Sequence, residues 1–260
     1  MTGAEQQKIH LSGVTRAFDN ARALDAVDLT LMPRQSLVLI GGSGSGKSLL
    51  LKCILGLVIP ASGSIEVDGS ETVGMAENER MVWMKRFGVL FQRQGLFDSM
   101  SIWENISFRL INEDKISPAV ARDKAIVRLG QVGLPPETAN LFPSEVSGGM
   151  QKRVGLARAI ATDPDILLLD EPTAGLDPIM SNVIGDLIKE RVGDLGASAI
   201  SIVSDLAVVR NIADSVMMLH EGQVVWSGDV GELDETDNPY VRQFVTQSIE
   251  GPIKMPKLAG

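Results

Sequence analysis

The sequence predicts an α/β fold in which an antiparallel sheet opens the chain and a parallel sheet follows it. Three observations support this prediction. Apolar and polar residues alternate over 9–14 and 24–32, which is typical of half-buried strands. Short apolar runs at 36–40, 166–169 and 199–203 indicate strands buried on both faces, as in a parallel sheet. Between these runs lies a long stretch with helical periodicity.

That stretch predicts a helical subdomain, at about 99–161, inserted in a single domain over 1–240. Residues 241–260 then form a C-terminal tail. No internal repeat is visible, so we expect one copy of each functional site. The helices predicted in and after the insertion span 102–111, 118–132, 151–161 and 179–195.

Composition narrows the class of protein. The 260 residues are 44% hydrophobic, which is enough for a substantial core, and no apolar run is long enough to cross a membrane. A net charge of −9 argues against nucleic-acid binding through a general basic surface, and no secretory signal is visible, so a cytoplasmic protein is expected. The single cysteine, Cys53, excludes an internal disulfide and is predicted to be a buried thiol.

A glycine-rich segment follows the apolar run at 36–40 and precedes a helical pattern over 47–57. It fits GxxxxGK[ST], in which glycines let backbone N–H groups converge on phosphate oxygens. Lys47 would meet the β and γ phosphates, and the Ser48 hydroxyl would bind Mg²⁺. The positive end of the helix adds further attraction for the phosphates. The residues predicted to bind the nucleotide here are Gly41, Gly42, Ser43, Gly44, Ser45, Gly46, Lys47, Ser48 and Leu49.

Two carboxylates end the apolar run at 166–169. This arrangement suits Asp170 to support the Mg²⁺ shell and Glu171 to polarise an attacking water molecule. Alone, such a pair is weak evidence, but together with the phosphate loop it is strong.

Between these motifs lies Ser147-Gly148-Gly149, just before a predicted helix. Ser147 is a good N-cap and the glycines permit close backbone approach, so this helix end is a candidate anion site. By itself, the run predicts a plain turn before a helix more often than a binding site.

Taken together, these motifs resemble those of the ABC ATPases, whose signature is normally LSGGQ and here has Met150 in place of glutamine. The resemblance covers nearly the whole chain. It implies a RecA-like P-loop core with an antiparallel β subdomain and a helical subdomain, and it implies ATP and Mg²⁺ as ligands. Phe18 then matches the aromatic that stacks on adenine, although a lone Phe is more often a core residue. Gln92 matches the glutamine that reaches Mg²⁺ and the attacking water, and Asp177 matches an aspartate at the dimer interface.

The resemblance also implies a head-to-tail pair of ATPase subunits. Each ATP would lie between the phosphate loop of one chain and residues Ser147 to Gly149 of the other. A homodimer, or pairing with a similar ATPase, is therefore expected for turnover.

One position departs from the family pattern. Where the family has a histidine that contacts the γ phosphate, this chain has Ser204, in the run Ile202-Val203-Ser204-Asp205. The two histidines, at positions 10 and 220, do not align with it and are predicted to be structural or solvent-facing. A short, uncharged hydroxyl cannot reproduce the reach or charge of an imidazole. We therefore expect slow hydrolysis with ATP binding retained, which would favour an ATP-closed dimer.

Three segments, at 90–106, 146–161 and 238–253, resemble the ATPases of Mla-type phospholipid transporters. Such systems serve lipid traffic between the inner and outer membranes of Gram-negative bacteria. The resemblance implies a membrane permease, an MCE-domain protein and often a STAS-domain subunit as partners, with the ATPase on the inner face of the inner membrane. The alternative is a soluble ABC-type assembly or scaffold ATPase that has no permease.

The tail carries a further expectation. Tyr240, Phe244 and Ile249 have the spacing of one face of a short helix, and Pro252 and Pro256 would force an extended end. We expect this tail to dock on a partner ATPase subunit. The alternative is a disordered terminus.

Overall fold

The computed structural model describes residues 6–18, 21–92, 95–193 and 196–254. It divides into two compact units. The first unit combines Met1–Met32, Leu37–Met75 and Ala213–Gly260, and the second combines Pro33–Ser36 and Ala76–Ile212.

The described strands are β1 (Ile9–Phe18), β2 (Ala21–Leu31), β3 (Ser36–Ile40), β4 (Ser62–Val67), β5 (Ser70–Glu71), β6 (Phe87–Leu90), β7 (Ile166–Asp170), β8 (Ser198–Ile202), β9 (Ser215–His220) and β10 (Gln223–Asp229). The described α-helices are α1 (Lys47–Ile54), α2 (Glu77–Trp83), α3 (Ile102–Asn112), α4 (Pro118–Gln131), α5 (Gly148–Ala159), α6 (Pro178–Gly193), α7 (Leu206–Ile212) and α8 (Pro239–Val245). None of the helices in the described ranges has the length and apolar character to span a membrane.

The first unit opens with an antiparallel sheet in the order β2-β1-β4-β5. In β1, Ile9 and Leu11 are fully buried and His10 and Ser12 are not, and a register shift after Leu11 places the next fully buried residue at Val14. Leu11 stands opposite Leu29 of β2 and opposite Ile65 of β4. The alternating pattern therefore predicted these strands correctly, because one face of the sheet is covered by apolar side chains.

The same unit contains β3, which pairs in parallel with β9, and β9 pairs antiparallel with β10. All residues of β3 are buried, and the strand leads through residues 41–46 into α1. This helix ends at Ile54, short of the predicted end at residue 57. Gly56 has a φ of 67°, and the Leu57 N–H donates to the Lys52 carbonyl at 2.9 Å. A left-handed glycine with this hydrogen bond is a common helix stop, and it ends α1 early.

Cys53 is on the buried face of α1. Its side chain is 2% exposed. Burial raises the pKa of the thiol to about 11, against the smaller opposing effect of the Arg16 charge. The thiol is therefore protonated at neutral pH and unreactive, as the sequence predicts.

The second unit is built on a parallel sheet in which β7 lies between β8 and β6. Leu168 of β7 is in register with Val89 of β6 and with Ile200 of β8. All residues of β7 and β8 are buried, as predicted for strands with continuous apolar character. The sequence analysis did not predict β6, since its short run at 87–90 includes a glycine and has no clear periodicity.

The helices α3, α4 and α5 pack against one another, and local sequence explains where they begin. Ser101 and Glu104 form a capping box at the start of α3, and Pro118 occupies the first turn of α4. Helix α5 begins at Gly148 rather than at the predicted residue 151, because Ser147 caps it. Helix α6 runs from Pro178 to Gly193, close to the predicted helix.

A polar cluster joins α4 to α6 through Asp163, whose side chain is exposed. Arg191 is 4% exposed and donates to Asp163 at 2.9 Å and to Gln131 at 2.7 Å. Arg128 donates to the other oxygen of Asp163 at 2.5 Å. Burial lowers the pKa of Arg191, and the neighbouring Arg128 charge lowers it further, whereas Asp163 raises it. The shared carboxylate thus holds two arginines from different helices at one point.

Residues 246–254 fold back on α8. Gln243 is 7% exposed, and its amide nitrogen donates to the Ser248 carbonyl at 3.3 Å and to the Ile253 carbonyl at 3.0 Å. Its amide oxygen accepts from the Ile253 N–H at 2.7 Å. The ring of Tyr240 lies 5.0 Å from that of His220 on β9. The described part of the tail is therefore an ordered hook, which contradicts the alternative of a disordered terminus over 246–254.

Candidate phosphate-binding and catalytic residues

The glycine-rich loop at 41–46 requires its glycines for conformation and for space. Gly41, Gly44 and Gly46 have φ values of 136°, 77° and 106°, which L side chains rarely adopt. A Cβ at Gly41 would lie 2.1 Å from the Leu219 carbonyl oxygen, and one at Gly46 would lie 2.6 Å from that of Ala23. The loop is thus held closely against β9 and the β2 segment within the first unit.

Lys47 bends back over this loop. Its Nζ donates to the carbonyls of Gly41 at 2.7 Å and Gly42 at 2.8 Å, and to Ser45 Oγ at 3.1 Å. Gly42 and Gly44 have open space where a side chain would stand, since no heavy atom lies within 4 Å of either Cβ position. The ammonium and the open backbone share one small region, which suits an anion with several oxygen atoms.

The remaining loop residues complete this description. Ser43 and Gly44 are exposed at the top of the loop, whereas Ser45 is 5% exposed. Ser48 and Leu49 are half-buried in the first turn of α1. The structure therefore places the loop, the lysine and the serine on consecutive residues, and their roles in binding the phosphates of a nucleotide stay predictions.

The predicted Mg²⁺ ligands are Ser48, Gln92 and Asp170. Asp170 is 5% exposed at the end of β7, and Gln92 is exposed shortly after β6. Within the described ranges, no three His, Cys, Asp or Glu side chains are placed to hold a metal ion together. A donor set with one carboxylate fits Mg²⁺, which keeps several water molecules and takes its other ligands from substrate phosphates.

Glu171 follows Asp170 and has an unusual backbone. Its φ is 54°, in the left-handed region that non-glycine residues seldom occupy. Its N–H donates to the Ile202 carbonyl of β8 at 3.0 Å, which fixes the turn at the end of the sheet. The Ser204 hydroxyl donates to Glu171 Oε1. The structure therefore brings together two residues that the sequence analysis placed in the catalytic set, and strain at such a position is typical of functional sites.

The Ser147 segment is a helix N-terminus, as predicted. Ser147 Oγ accepts from the Met150 N–H at 3.3 Å and caps α5. Ser147 and Gly148 are exposed, so the first N–H groups of the helix face open space. A Cβ at Gly149 would lie 3.4 Å from Leu176 Cδ2, in ordinary van der Waals contact with the loop that precedes α6.

Asp177 ends that loop and is exposed. Its Oδ1 accepts from the Met180 N–H at 3.0 Å, so it caps α6. This local role accounts for an aspartate at the position, and the predicted role at a dimer interface stays a prediction.

The side chain of Phe18, the predicted adenine-stacking residue, lies outside the residues whose side chains the structure describes.

The sequence analysis did not identify Lys152 as a residue of this region. Lys152 is 9% exposed, and its Nζ donates to the Ala174 carbonyl at 2.5 Å. Burial lowers the pKa of Lys152, and the negative charges of Glu171 and Asp170 oppose that shift. The available sequence signal was its place directly after Gln151 in the signature segment.

Comparisons with known proteins extend these observations. A family model described as "ABC transporter" matches residues 24–174, more than half of the chain. The probable ribonucleotide transport ATP-binding protein mkl of Mycobacterium tuberculosis is 37% identical over 247 residues, which cover 95% of this chain and 68% of that protein. The chloroplastic protein TRIGALACTOSYLDIACYLGLYCEROL 3 of Arabidopsis thaliana is 37% identical over 262 residues, and the match covers 95% and 75% of the two chains.

A solved structure also matches. It is the dimeric structure of the ATP-binding cassette MJ0796 bound to ADP and Pi. The TM-score is 0.82 at 29% identity, over 85% of this chain and 98% of that chain. The match confirms the predicted fold class.

Proposed function

The chain belongs to the ABC transporter family as an ATP-binding subunit, and on that premise we propose that it powers phospholipid transport between an inner and an outer membrane. The observation that carries the ATPase function is the phosphate loop with Lys47 folded over it. The lipid substrate is supported by the resemblance of 90–106, 146–161 and 238–253 to Mla-type ATPases, and by a relative that is named after a glycolipid. The relative mkl is named for ribonucleotide transport, which makes ribonucleotides the competing substrate class.

Each residue of the candidate set has a chemical task in this proposal. Lys47 and the loop N–H groups bind the β and γ phosphates, and the positive end of α1 adds to their attraction. Ser48, Gln92 and Asp170 would hold Mg²⁺, which would neutralise phosphate charge when bound with the nucleotide. Glu171 accepts hydrogen bonds from the attacking water and orients it.

The active form in this proposal is a head-to-tail dimer of two copies. The exposed N-terminus of α5, at Ser147 to Gly149, contacts the nucleotide of the second copy through its N–H groups. The exposed position of Asp177 supports its place at the same dimer contact. A match to a dimeric cassette with bound ADP and Pi supports this arrangement.

Hydrolysis in this dimer is slow because of the residue at position 204. Ser204 stands where the family has a histidine. Its hydroxyl donates a hydrogen bond to Glu171 Oε1. An oxygen that accepts from serine is less available to the attacking water. The uncharged hydroxyl also provides no positive charge for the phosphate oxygens. The ATP-bound dimer therefore persists for longer than it would with a histidine.

The tail contacts the second copy in this proposal. The hook held by Gln243 presents Ile249, which is 85% exposed, on an ordered surface. Deletion of residues 251–260 or the substitution Ile249→Ser should weaken ATP-driven dimerisation about thirtyfold, since a buried isoleucine side chain contributes about 2 kcal/mol. Analytical ultracentrifugation with ATP measures this change. The control is Val127→Ser, which changes an exposed apolar residue on α4. Unchanged dimerisation in both tail variants would contradict the contact.

Co-purification from detergent-solubilised membranes tests the transport function. We expect the tagged chain to bring down an integral-membrane permease, an MCE-domain protein and a STAS-domain subunit, because the ATPase sits peripherally on the inner face of the inner membrane. Recovery of soluble partners alone would instead favour the scaffold ATPase.

Phospholipid vesicles and free ribonucleotides are then compared as stimulators of ATP hydrolysis by the purified complex. Stimulation by ribonucleotides alone would overturn the lipid substrate.

A further inference from the structure

Helix α5 touches the loop 171–177 at two points. The Lys152 ammonium donates to the Ala174 carbonyl at 2.5 Å, and Gly149 lies so near Leu176 that a Cβ at this glycine would stand 3.4 Å from Leu176 Cδ2. This loop starts at the carboxylate Glu171 and ends at the exposed Asp177. The helix that presents Ser147 and the loop that carries Glu171 are therefore physically joined within one unit.

A lysine at this contact carries a large desolvation free energy. Its side chain is 9% exposed, and a buried ammonium loses most of its hydration. Burial lowers the pKa of Lys152, while the charges of Glu171 first and Asp170 second favour its protonated form. The ammonium therefore lies within the electrostatic field of both carboxylates as well as within hydrogen-bond reach of Ala174. A neutral residue would fill the same space at lower cost.

Beyond Glu171, which Ile202 and Ser204 also hold, two backbone hydrogen bonds lie inside the loop. The Ala174 N–H donates to the Glu171 carbonyl at 3.3 Å, and the Leu176 N–H donates to the Thr173 carbonyl at 3.1 Å. Both are local turn hydrogen bonds, whereas the Lys152 bond is short, charge-assisted and comes from another element. It fixes the middle of the loop from outside, and the left-handed backbone of Glu171 lies at the start of that loop.

We propose that Lys152 is a positioning residue that orients Glu171 for hydrolysis and links it to the exposed helix end at Ser147. The link rests on the proposed function, in which Ser147 to Gly149 contact the nucleotide of a second copy. A shift of α5 when that nucleotide binds then moves Ala174 and alters the direction of the Glu171 carboxylate. Lys152 acts through the loop and its charge, and it does not itself touch the nucleotide.

Three variants separate charge from hydrogen bonding. Lys152→Met removes both, and Lys152→Gln removes the charge but keeps an N–H donor. Lys124→Met, at an exposed lysine on α4, is the matched control for the loss of one positive charge. Steady-state phosphate release by the purified full chain gives kcat and KM, and a fluorescent ATP analogue gives the nucleotide Kd.

We expect Lys152→Met to lower kcat about tenfold to a hundredfold with the nucleotide Kd within about twofold, because misplaced catalytic groups affect turnover more than binding. Lys152→Gln should recover part of the loss, and Lys124→Met should leave both constants unchanged. If Lys152→Met does not fold, as judged by its thermal unfolding curve, Lys152→Gln alone decides by a kcat below that of the parent.

Two results would overturn the proposal. One is an unchanged kcat in both Lys152 variants, and the other is an equal change of kcat and Kd, which indicates general damage to the fold. Failure of the proposed function looks different, since the parent chain itself would then neither bind the ATP analogue nor release phosphate.

Discussion

Glu171→Gln is expected to reduce steady-state ATP hydrolysis by about a thousandfold while leaving ATP binding intact, in line with the usual contribution of a general base. The amide keeps the shape of the side chain, and its oxygen can still accept from the Ser204 hydroxyl. It cannot accept the proton of the attacking water. Phosphate release measures the first effect, and equilibrium binding of a fluorescent ATP analogue measures the second.

The same variant should accumulate as an ATP-bound dimer, because nucleotide that holds two copies together is no longer consumed. Size-exclusion chromatography with ATP and Mg²⁺ detects it, and the parent chain should dimerise less under the same conditions. Glu190→Gln, at an exposed glutamate of α6, provides the control for a lost negative charge. A Glu171→Gln chain with more than a tenth of the parent rate would show that another group activates the water.

Ser204→His should raise the hydrolysis rate about a hundredfold, which is the lower end of the range for one preorganised donor at a reacting oxyanion. An imidazole reaches farther than a hydroxyl and can carry positive charge towards the γ phosphate. The substitution also removes the hydroxyl that now donates to Glu171 Oε1. The rate of phosphate release is compared between the two chains, alone and in the purified membrane complex.

Ser204→Ala separates the two causes. It removes the hydrogen bond to Glu171 without adding an imidazole, so a rise with alanine alone assigns the slow rate to that bond. A rise with histidine only assigns it to the missing imidazole. Equal rates in the parent and Ser204→His chains would refute the idea that this position slows the enzyme.

The parts of the site that are local in sequence were predictable. Gly41 to Ser48 lie on consecutive residues between a strand and a helix, so their spacing alone defines the phosphate loop. The cap formed by Ser147 and the strand that ends at Asp170 are local in the same way. For these features, backbone propensity and hydrophobic pattern suffice.

Contacts between distant segments were not predictable from pattern. The Lys152 bond to Ala174 and the Ser204 bond to Glu171 join residues 22 and 33 positions apart, and each depends on how separate elements pack. A lysine in a helix is expected on its solvated face, and nothing in its spacing signals that packing buries it. The hook around Gln243 was not predicted for a similar reason. A glutamine whose amide binds three backbone groups looks the same in sequence as a surface glutamine.

The inert thiol of Cys53 makes the chain convenient for site-specific labelling. It is the single cysteine of the sequence, it is 2% exposed, and its pKa of about 11 keeps it out of the thiolate form. A cysteine introduced at an exposed position such as Ile249 would therefore react with a maleimide dye almost alone, without prior removal of Cys53. Pairs of chains labelled in this way could report approach of two copies by energy transfer in real time.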